Sequence, residues 1–285
     1  MPMTTLSPLR YPGGKDKTYY YIKHLVTTNN ISTYIEPFAG GAAVAIRLLI
    51  NHDVKKIIIN DYDRGIYALW NTIINHPEPL IQLIRDTAID MEQWYIQREI
   101  QKQKNNIDDL SLAFSTLFLN RTNRSGIIKA GVIGGKNQNS TYKIDCRFNK
   151  ETIIKRIKLI ASYASQIRVC NYDAKEFIEA EIKKTRKSLT FFDPPYYDKG
   201  PDLYTNFYSH EDHVELAKII QSKMKNRYWI LTYDIASQIE ELYKNQFYTK
   251  YYLNYSIATP TKGQEFMFFS NKTNKGDIQK YLNFA

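Results

Sequence analysis

The tetrapeptide Asp193-Pro194-Pro195-Tyr196 follows the strand-like run "SLTFF" and combines groups suited to binding a planar amine. A carboxylate at a strand end is costly to bury unless it has a partner. Asp193 would accept a hydrogen bond from the amine, the prolines present only carbonyl acceptors, and Tyr196 offers a face for stacking. Such acceptors would free the nitrogen lone pair for attack on an electrophile held in line. The pattern predicts group transfer to an aromatic amine; a plain polar strand end is the alternative.

A glycine turn and a second carboxylate indicate a nucleoside-bearing cofactor. The stretch "EPFAGGAAV" (36–44) places Gly40 and Gly41 between a strand and a helix, where the backbone turns tightly and approaches a ligand. Asp61 ends the next strand and is placed to bind ribose hydroxyls. Because the G-x-G-x-x-G fingerprint is absent, we expect a cofactor without a pyrophosphate. The alternatives are a simple tight turn and a strand-end cap.

One basic segment suggests a polyanionic partner. The chain has 285 residues and a net charge of +10, and residues 120–150 hold seven Lys or Arg against one acid, Asp145. Arginine and lysine meet phosphates, while asparagine and arginine also read base edges. A solvated loop region is the alternative. The candidates for nucleic-acid contact are Arg121, Asn123, Arg124, Lys129 and Lys136.

The elements that must position these groups alternate between strand-like and helix-like patterns. This alternation predicts an α/β fold, with a mainly parallel sheet covered by helices on both faces. Predicted strands cover 32–38, 55–61, 166–173, 188–193, 227–234 and 265–271. The alternation breaks after residue 75. We therefore predict a catalytic domain from 1–75 and 151–285, with an inserted, mostly helical subdomain at 76–150.

Five motifs, taken in order, resemble the Dam-like DNA adenine-N6 methyltransferases, the alpha group with a DPPY motif. The resemblance runs nearly end to end and rests on "RYPGGK" (10–15), "EPFAGG" (36–41), "FLNRTNRSGI" (118–127), "DPPY" (193–196) and "EFMFFSN" (265–271). It implies a Rossmann-like S-adenosylmethionine-dependent methyltransferase sheet with an inserted DNA-recognition subdomain. It also implies methyl transfer to adenine N6 in double-stranded DNA, on a base flipped out of the duplex.

The resemblance also implies roles for single residues. Asp193 would touch both the cofactor and the target amine, and Tyr196 would stack on the extruded adenine. Two departures are visible: Tyr11 stands where the family often has tryptophan, and "RTNRSG" differs from the best-known wording, so the site GATC is not implied. The residues implied to bind S-adenosylmethionine are Tyr11, Lys15, Phe38, Gly40, Asp61, Asp173 and Asp193.

Several alternatives remain at this point. The same chemistry on cytosine N4 or on an amine in RNA fits the tetrapeptide, as does a catalytically silent DNA-binding protein. A nicotinamide oxidoreductase is disfavoured by the missing phosphate fingerprint. We expect no metal, and we expect His210 and His213 in "HEDH" to be structural surface residues.

The setting of the protein is also an expectation. No run approaches the ~20 apolar residues of a membrane span, and the first residues lack a signal peptide. We therefore expect a cytoplasmic monomer in a prokaryotic cell or encoded by a phage. Its partner would be double-stranded DNA, with a cognate restriction endonuclease acting separately.

Overall fold

A seven-stranded sheet forms the centre of the protein. The computed structural model describes residues 5–10, 15–198, 208–255 and 261–282, so the predicted cofactor contact Tyr11 lies outside the described residues. The strands are β1 (Thr33–Glu36), β2 (Lys56–Asn60), β3 (Ile167–Cys170), β4 (Ser188–Phe192), β5 (Tyr228–Asp234), β6 (Phe247–Tyr255) and β7 (Thr261–Phe269). Their order is β3-β2-β1-β4-β5-β7-β6.

The sheet is parallel from β1 to β5, and β7 pairs antiparallel with both β5 and β6. Helices cover both faces, which explains why β4 is buried at every position and reads as a continuous apolar run. The predicted α/β class, with a mainly parallel sheet covered by helices on both faces, is confirmed. No helix in the described part of the chain is long and apolar enough to cross a membrane.

Ten α-helices lie within the described ranges. They are α1 (Tyr19–Thr28), α2 (Ala43–Ile50), α3 (Arg64–Asn75), α4 (Pro77–Asp86), α5 (Met91–Lys102), α6 (Asp109–Thr122), α7 (Lys150–Ala161), α8 (Ala174–Ala180), α9 (His210–Lys223) and α10 (Ser237–Leu242). Ser209 caps α9 through a reciprocal capping box with Asp212. A 3₁₀ helix, Lys15–Thr18, leads into α1.

Helix α1 and strand β6 are among the elements that were not predicted from the sequence. Helix α1, "YYYIKHLVTT", is rich in aromatic and β-branched residues of modest helix propensity, and burial of Ile22 and Leu25 stabilises it instead. Strand β6, "FYTKYYLNY", lacks an apolar run and depends on its pairing with β7 at the edge of the sheet.

The insertion shares its core with the sheet. Helix α6 packs against α3, and its residues Leu117 and Phe118 belong to the same apolar cluster as Ile66 and Leu69. This packing explains why α6 is buried over most of its surface. The division into a catalytic domain and a separate 76–150 subdomain stays a prediction.

Helix α6 also fixes the segment before residue 11. The Asn120 side chain accepts from the backbone N–H of Arg10 at 2.8 Å and donates to its carbonyl at 2.7 Å. Gly126 lies against the same carbonyl, since a Cβ there would come within 2.4 Å of the Arg10 oxygen. The backbone at Arg10 is therefore anchored on helix α6 and the loop that follows it.

Polar residues gather where the central parallel strands end. Glu36 ends β1, Asn60 ends β2, Asp193 directly follows β4, and Asp234 ends β5. In the sheet, β2 and β3 lie on one side of β1, and β4 and β5 lie on its other side, so the strand order reverses between β1 and β4. Open α/β sheets bind ligands at such a switch point.

Candidate active site

A buried ion pair joins the start of the chain to the tetrapeptide. Lys15 Nζ lies 3.0 Å from Asp193 Oδ1 and 3.3 Å from Glu265 Oε1, and it donates to the Tyr196 hydroxyl at 2.5 Å. Burial by itself would lower the pKa of the Lys15 ammonium, but Asp193 and Glu265 outweigh that effect and raise it. Lys15 is thus held in its charged form.

The two oxygens of Asp193 have different surroundings. Oδ1 accepts from the Thr232 hydroxyl at 2.7 Å as well as from Lys15, whereas no hydrogen bond from a described residue reaches Oδ2. The side chain keeps 23% of its surface exposed. Burial raises the pKa of the Asp193 carboxyl, and Lys15 opposes that shift. Asp193 therefore keeps one carboxylate oxygen that accepts no hydrogen bond from any described residue.

Tyr196 is turned inwards in this structure. Its side chain is 3% exposed, and its hydroxyl accepts from Lys15 and donates to Glu265. Pro194 and Pro195 are also buried. Asp234 shapes the following turn by accepting from the backbone N–H groups of Tyr197 and Asp198 at 2.9 and 3.0 Å. Stacking of Tyr196 on a target base stays a prediction.

A second carboxyl group adjoins Asp193. Burial raises the pKa of Glu36, at the end of β1, to about 8, and the charge of Asp193 acts in the same direction. Glu36 is therefore mostly protonated at neutral pH. Keeping Glu36 neutral limits the negative charge that gathers around Asp193.

The glycine turn and Asp61 meet as expected. Asp61 Oδ2 accepts from the Gly40 backbone N–H at 2.8 Å, and Oδ1 accepts from the Asp63 N–H at 2.9 Å. Gly40 has a φ of 46°, a left-handed conformation that favours glycine, and its carbonyl accepts from the Trp70 indole at 2.9 Å. Burial, followed by the nearby Asp63, raises the pKa of Asp61 to about 7.

An aromatic pair lies beside these carboxylates. Phe38 contacts Tyr208 edge to face, with ring centroids 6.0 Å apart. Burial raises the pKa of the Tyr208 hydroxyl, and the charges of Asp173 and Asp61 add to that effect, so both acids lie near this ring. Asp173 caps α8 by accepting from the Lys175 N–H at 2.9 Å. The structure thus places Phe38, Asp61 and Asp173 at one edge of the sheet.

Family comparison identifies this arrangement. The D12 class N6 adenine-specific DNA methyltransferase family matches residues 11–266 of the chain. This range includes the glycine turn, the whole insertion, the Asp193 tetrapeptide and Glu265. The chain belongs to this family. It is therefore an N6-adenine DNA methyltransferase, the function that the sequence resemblance implied.

Three relatives of this methyltransferase cover most of its length. Type II methyltransferase M.MjaIII of Methanocaldococcus jannaschii is 26% identical over 233 residues, 74% of this chain and 77% of the relative. M1.LlaDCHI of Lactococcus lactis subsp. cremoris is 24% identical over 252 residues, 83% of this chain and 84% of the relative. M.CviBI of Paramecium bursaria Chlorella virus NC1A is 23% identical over 253 residues, 87% of this chain and 90% of the relative.

The candidate DNA contacts of the methyltransferase divide into exposed and buried side chains. Arg124, Lys129 and Lys136 are exposed, as a phosphate contact requires. A pocket of about 260 Å³ opens beside Lys129. Its other lining residues include three more cations, Arg98, Lys102 and Lys104.

Arg121 and Asn123 lie inside the protein instead. The Arg121 guanidinium donates to the Pro8 carbonyl at 2.7 Å, and burial lowers its pKa to about 10. Asn123 accepts from the Trp94 indole at 2.7 Å and donates to the Ile128 carbonyl at 2.8 Å. These contacts hold the loop after α6 and the N-terminal segment in place. Contact of either side chain with DNA stays a prediction that their burial does not support.

Sequence reasoning missed several residues of the site. Thr232 lies within β5 and Glu265 within β7. For Glu265, the sequence signal that could have indicated a buried functional residue was an acid in the apolar run "EFMFF". Asn60 donates from its side chain to the Pro37 and Tyr172 carbonyls, which ties together the loops after β1 and β3.

The expectation for His213 was wrong. Its side chain is buried and lies 2.8 Å from the Tyr233 hydroxyl. Burial lowers its pKa to about 4, so the imidazole is neutral at physiological pH and packs as part of the core.

Proposed function

We propose that this methyltransferase binds S-adenosylmethionine at the carboxyl edge of the sheet. Asp61 would accept from the ribose hydroxyls, with the Gly40 turn beneath it. Phe38 would line the methionine side, and Asp173 would lie near the adenine of the cofactor. Lys15 and Asp193 would border the methyl group, as would Tyr11, which lies outside the described residues.

The chemistry of the donor set supports this cofactor. The side chains that gather at the edge are carboxylates, namely Asp61, Asp173 and Asp193. Carboxylates attract the sulfonium and ammonium groups of S-adenosylmethionine and accept from its hydroxyls. They would repel a pyrophosphate, which agrees with the absence of the dinucleotide fingerprint.

The observation that carries the catalytic assignment is that Oδ2 of Asp193 accepts no hydrogen bond within the described part of the chain. Lys15 and Thr232 both hold Oδ1, so the carboxylate is fixed while Oδ2 remains available. Oδ2 would accept one hydrogen of the target amine, and the Pro194 carbonyl would accept the other. These bonds turn the nitrogen lone pair towards the cofactor. When bound, S-adenosylmethionine supplies an electrophilic methyl group, and the residues position the amine in line with it.

The DNA would approach over the insertion. Flipping the adenine costs a few kcal/mol of unstacking, and phosphate contacts offset that cost. The exposed cations Arg124, Lys129 and Lys136 are our candidates for these contacts. The names of the relatives support a type II restriction–modification role, with a cognate endonuclease as a separate protein.

Methylation of mixed genomic DNA with labelled S-adenosylmethionine tests this function. We expect N6-methyladenine within one short sequence context, read by nucleoside analysis and by mapping of modified sites. Asp193→Ala should lower the transfer rate by roughly 100- to 1000-fold, because the target amine loses its acceptor in the transition state. DNA affinity should stay within a few fold, because the proposed phosphate contacts are untouched.

The matched control is Asp198→Ala, which removes an exposed carboxylate from the same turn and should keep most activity. An Asp193→Ala protein that folds and transfers methyl groups at the wild-type rate would exclude the catalytic assignment. Label in N4-methylcytosine would contradict the adenine specificity.

A further inference from the structure

Glu265 is a fully buried carboxylate in the middle of an aromatic strand. Its exposed fraction is 0%, and it precedes "FMFF" in β7. A buried charge is costly unless it is paired and hydrogen-bonded. Oε1 accepts from the Tyr196 hydroxyl and lies 3.3 Å from Lys15 Nζ, while Oε2 accepts from the Tyr251 hydroxyl at 2.5 Å. Both oxygens are therefore committed to partners.

The antiparallel end of the sheet brings Glu265 to the reaction centre. Strand β7 runs against β5, so Glu265 pairs with Asp234 at the carboxyl end of β5. On the other side of β7, Glu265 pairs with Tyr251 of β6. The carboxylate thus reaches the edge where the parallel strands end, although it is far from Lys15 along the chain.

The contacts form a connected network rather than an isolated pair. Lys15 donates to Tyr196, Tyr196 donates to Glu265, and Lys15 also faces Glu265 and Asp193 directly. Tyr251 holds Glu265 from behind. The segment after β4 and strands β6 and β7 therefore jointly set the orientation of the Lys15 ammonium. That orientation decides which oxygen of Asp193 the ammonium contacts.

We propose that Glu265 is a positioning residue for methyl transfer, which directs Lys15 and Tyr196 so that Lys15 occupies Asp193 Oδ1 and leaves Oδ2 to the target amine. This inference rests on the proposed function. Glu265 touches neither the cofactor nor the target in this account. It acts through Lys15 and Tyr196, and a small displacement of these groups is costly to the rate.

The proposal has a signature that a purely structural role lacks. Among the described residues, the groups that face Lys15 are Asp193 and Tyr196 from the segment after β4 and Glu265 from β7, with Tyr251 of β6 behind Glu265. Burial lowers the pKa of Lys15, and the two carboxylates raise it. Removal of the Glu265 charge therefore lowers this pKa, so activity at high pH should be lost earlier.

Glu265→Gln is the test, because glutamine keeps the shape and removes the charge. Per folded molecule, measured by circular dichroism, we expect kcat to fall by roughly 10- to 100-fold. We also expect the alkaline limb of the rate profile to move to lower pH. The matched control is Glu240→Gln. The Glu240 carboxylate also accepts from a tyrosine hydroxyl, that of Tyr248 in β6, and this variant should behave as wild type.

A second readout is independent of DNA and cofactor. The side chain of Lys15, observed by NMR in lysine-labelled protein and assigned with Lys15→Arg, should titrate at lower pH in Glu265→Gln. An unchanged titration with unchanged kcat would overturn the proposal. If Glu265→Gln does not fold, Glu265→Asp is the deciding variant, because it keeps the charge and shortens the side chain. We expect a reduced kcat and a nearly unchanged alkaline limb of the pH–rate profile. Full activity of Glu265→Asp would reject the positioning role of Glu265.

The two proposals can fail separately. If the wild-type enzyme transfers no methyl group to DNA, the proposed function fails, and the Lys15 titration still measures whether Glu265 controls that ammonium. If the wild type is active and Glu265→Gln is equally active, only the positioning role is lost.

Discussion

At the scale of single residues, two aspartates at strand ends are prepared for different tasks. Asp193 is clamped through Oδ1 by Lys15 and Thr232, which fixes the direction of its free oxygen. Asp61 is held by two backbone N–H groups, from Gly40 and Asp63. Because burial raises the pKa of Asp61 to about 7, its charge changes within the physiological range.

Given the proposed ribose contact, the raised pKa of Asp61 should make cofactor binding depend on pH. The ionised carboxylate would accept from both ribose hydroxyls and the protonated form would do so less well, so affinity should increase as Asp61 loses its proton. We expect the affinity for S-adenosylmethionine to rise from about pH 6 to about pH 8, measured by calorimetry, with most of the change near the pKa.

Asp61→Asn should bind roughly 10- to 100-fold more weakly at high pH and lose this pH dependence, because a hydrogen bond to a charged group is replaced by a neutral one. The exposed Asp86→Asn is the control and should follow the wild-type curve. A pH-dependent Asp61→Asn protein would place the titrating group elsewhere.

At the scale of elements, the loop after α6 and the N-terminal segment are built against each other. Asn120 binds both backbone groups of Arg10, and Gly126 leaves room for the Arg10 carbonyl. Three residues of the "FLNRTNRSGI" element, Asn120, Arg121 and Asn123, are therefore occupied with the protein itself.

Gly126→Ala should destabilise the protein more than an equivalent change elsewhere. Its φ is +77°, and the new Cβ would come within 2.4 Å of the Arg10 oxygen, so both backbone strain and a steric clash oppose it. We expect a loss of about 2–4 kcal/mol in the free energy of unfolding, measured with urea. Weaker cofactor binding should accompany it, since this segment leads to Lys15.

Gly135→Ala provides the control for the backbone term alone. Gly135 has a φ of +72°, and a Cβ added there would have no heavy atom of another residue within 4 Å, its chain neighbours aside. We expect a cost of about 1 kcal/mol. Equal losses in the two variants would show that the contact with Arg10 contributes nothing.

At the scale of the whole molecule, charge is distributed unevenly. The chain carries +10 overall, and residues 120–150 account for more than half of it, with seven cations against one acid. Carboxylates gather, in contrast, at the carboxyl edge of the parallel strands. This separation suits an enzyme that attracts the phosphates of DNA to one surface and a cationic cofactor to another.

Lys129→Ala combined with Lys136→Ala should flatten the salt dependence of DNA binding. If about six phosphates are neutralised, the log–log slope is near −5, and the loss of two contacts reduces its magnitude by about 1.8. Fluorescence anisotropy at several salt concentrations measures this slope. The exposed pair Lys218→Ala and Lys225→Ala should leave it unchanged. A slope unaffected by the first pair would place the DNA on another surface.

Local patterns in the sequence were enough for the α/β class, the parallel strands and the DPPY and glycine motifs. Those features depend on residue types a few positions apart, and the apolar strands reflect burial on both faces. The chemistry expected of Asp193 and Asp61 likewise follows from carboxylates placed directly after strands.

Only the tertiary structure decided which distant side chains meet. Lys15, Tyr196, Tyr251 and Glu265 come from separate parts of the chain, and no spacing rule links them. The burial of Arg121 and Asn123 also escaped sequence reasoning, because a polar side chain is read as exposed unless its buried partners are known. Local patterns determine the elements and the chemistry that each one carries. The hydrogen-bond network of Lys15, Tyr196, Glu265 and Tyr251 beside Asp193 forms only when β7 pairs with β5 and β6 at the edge of the sheet.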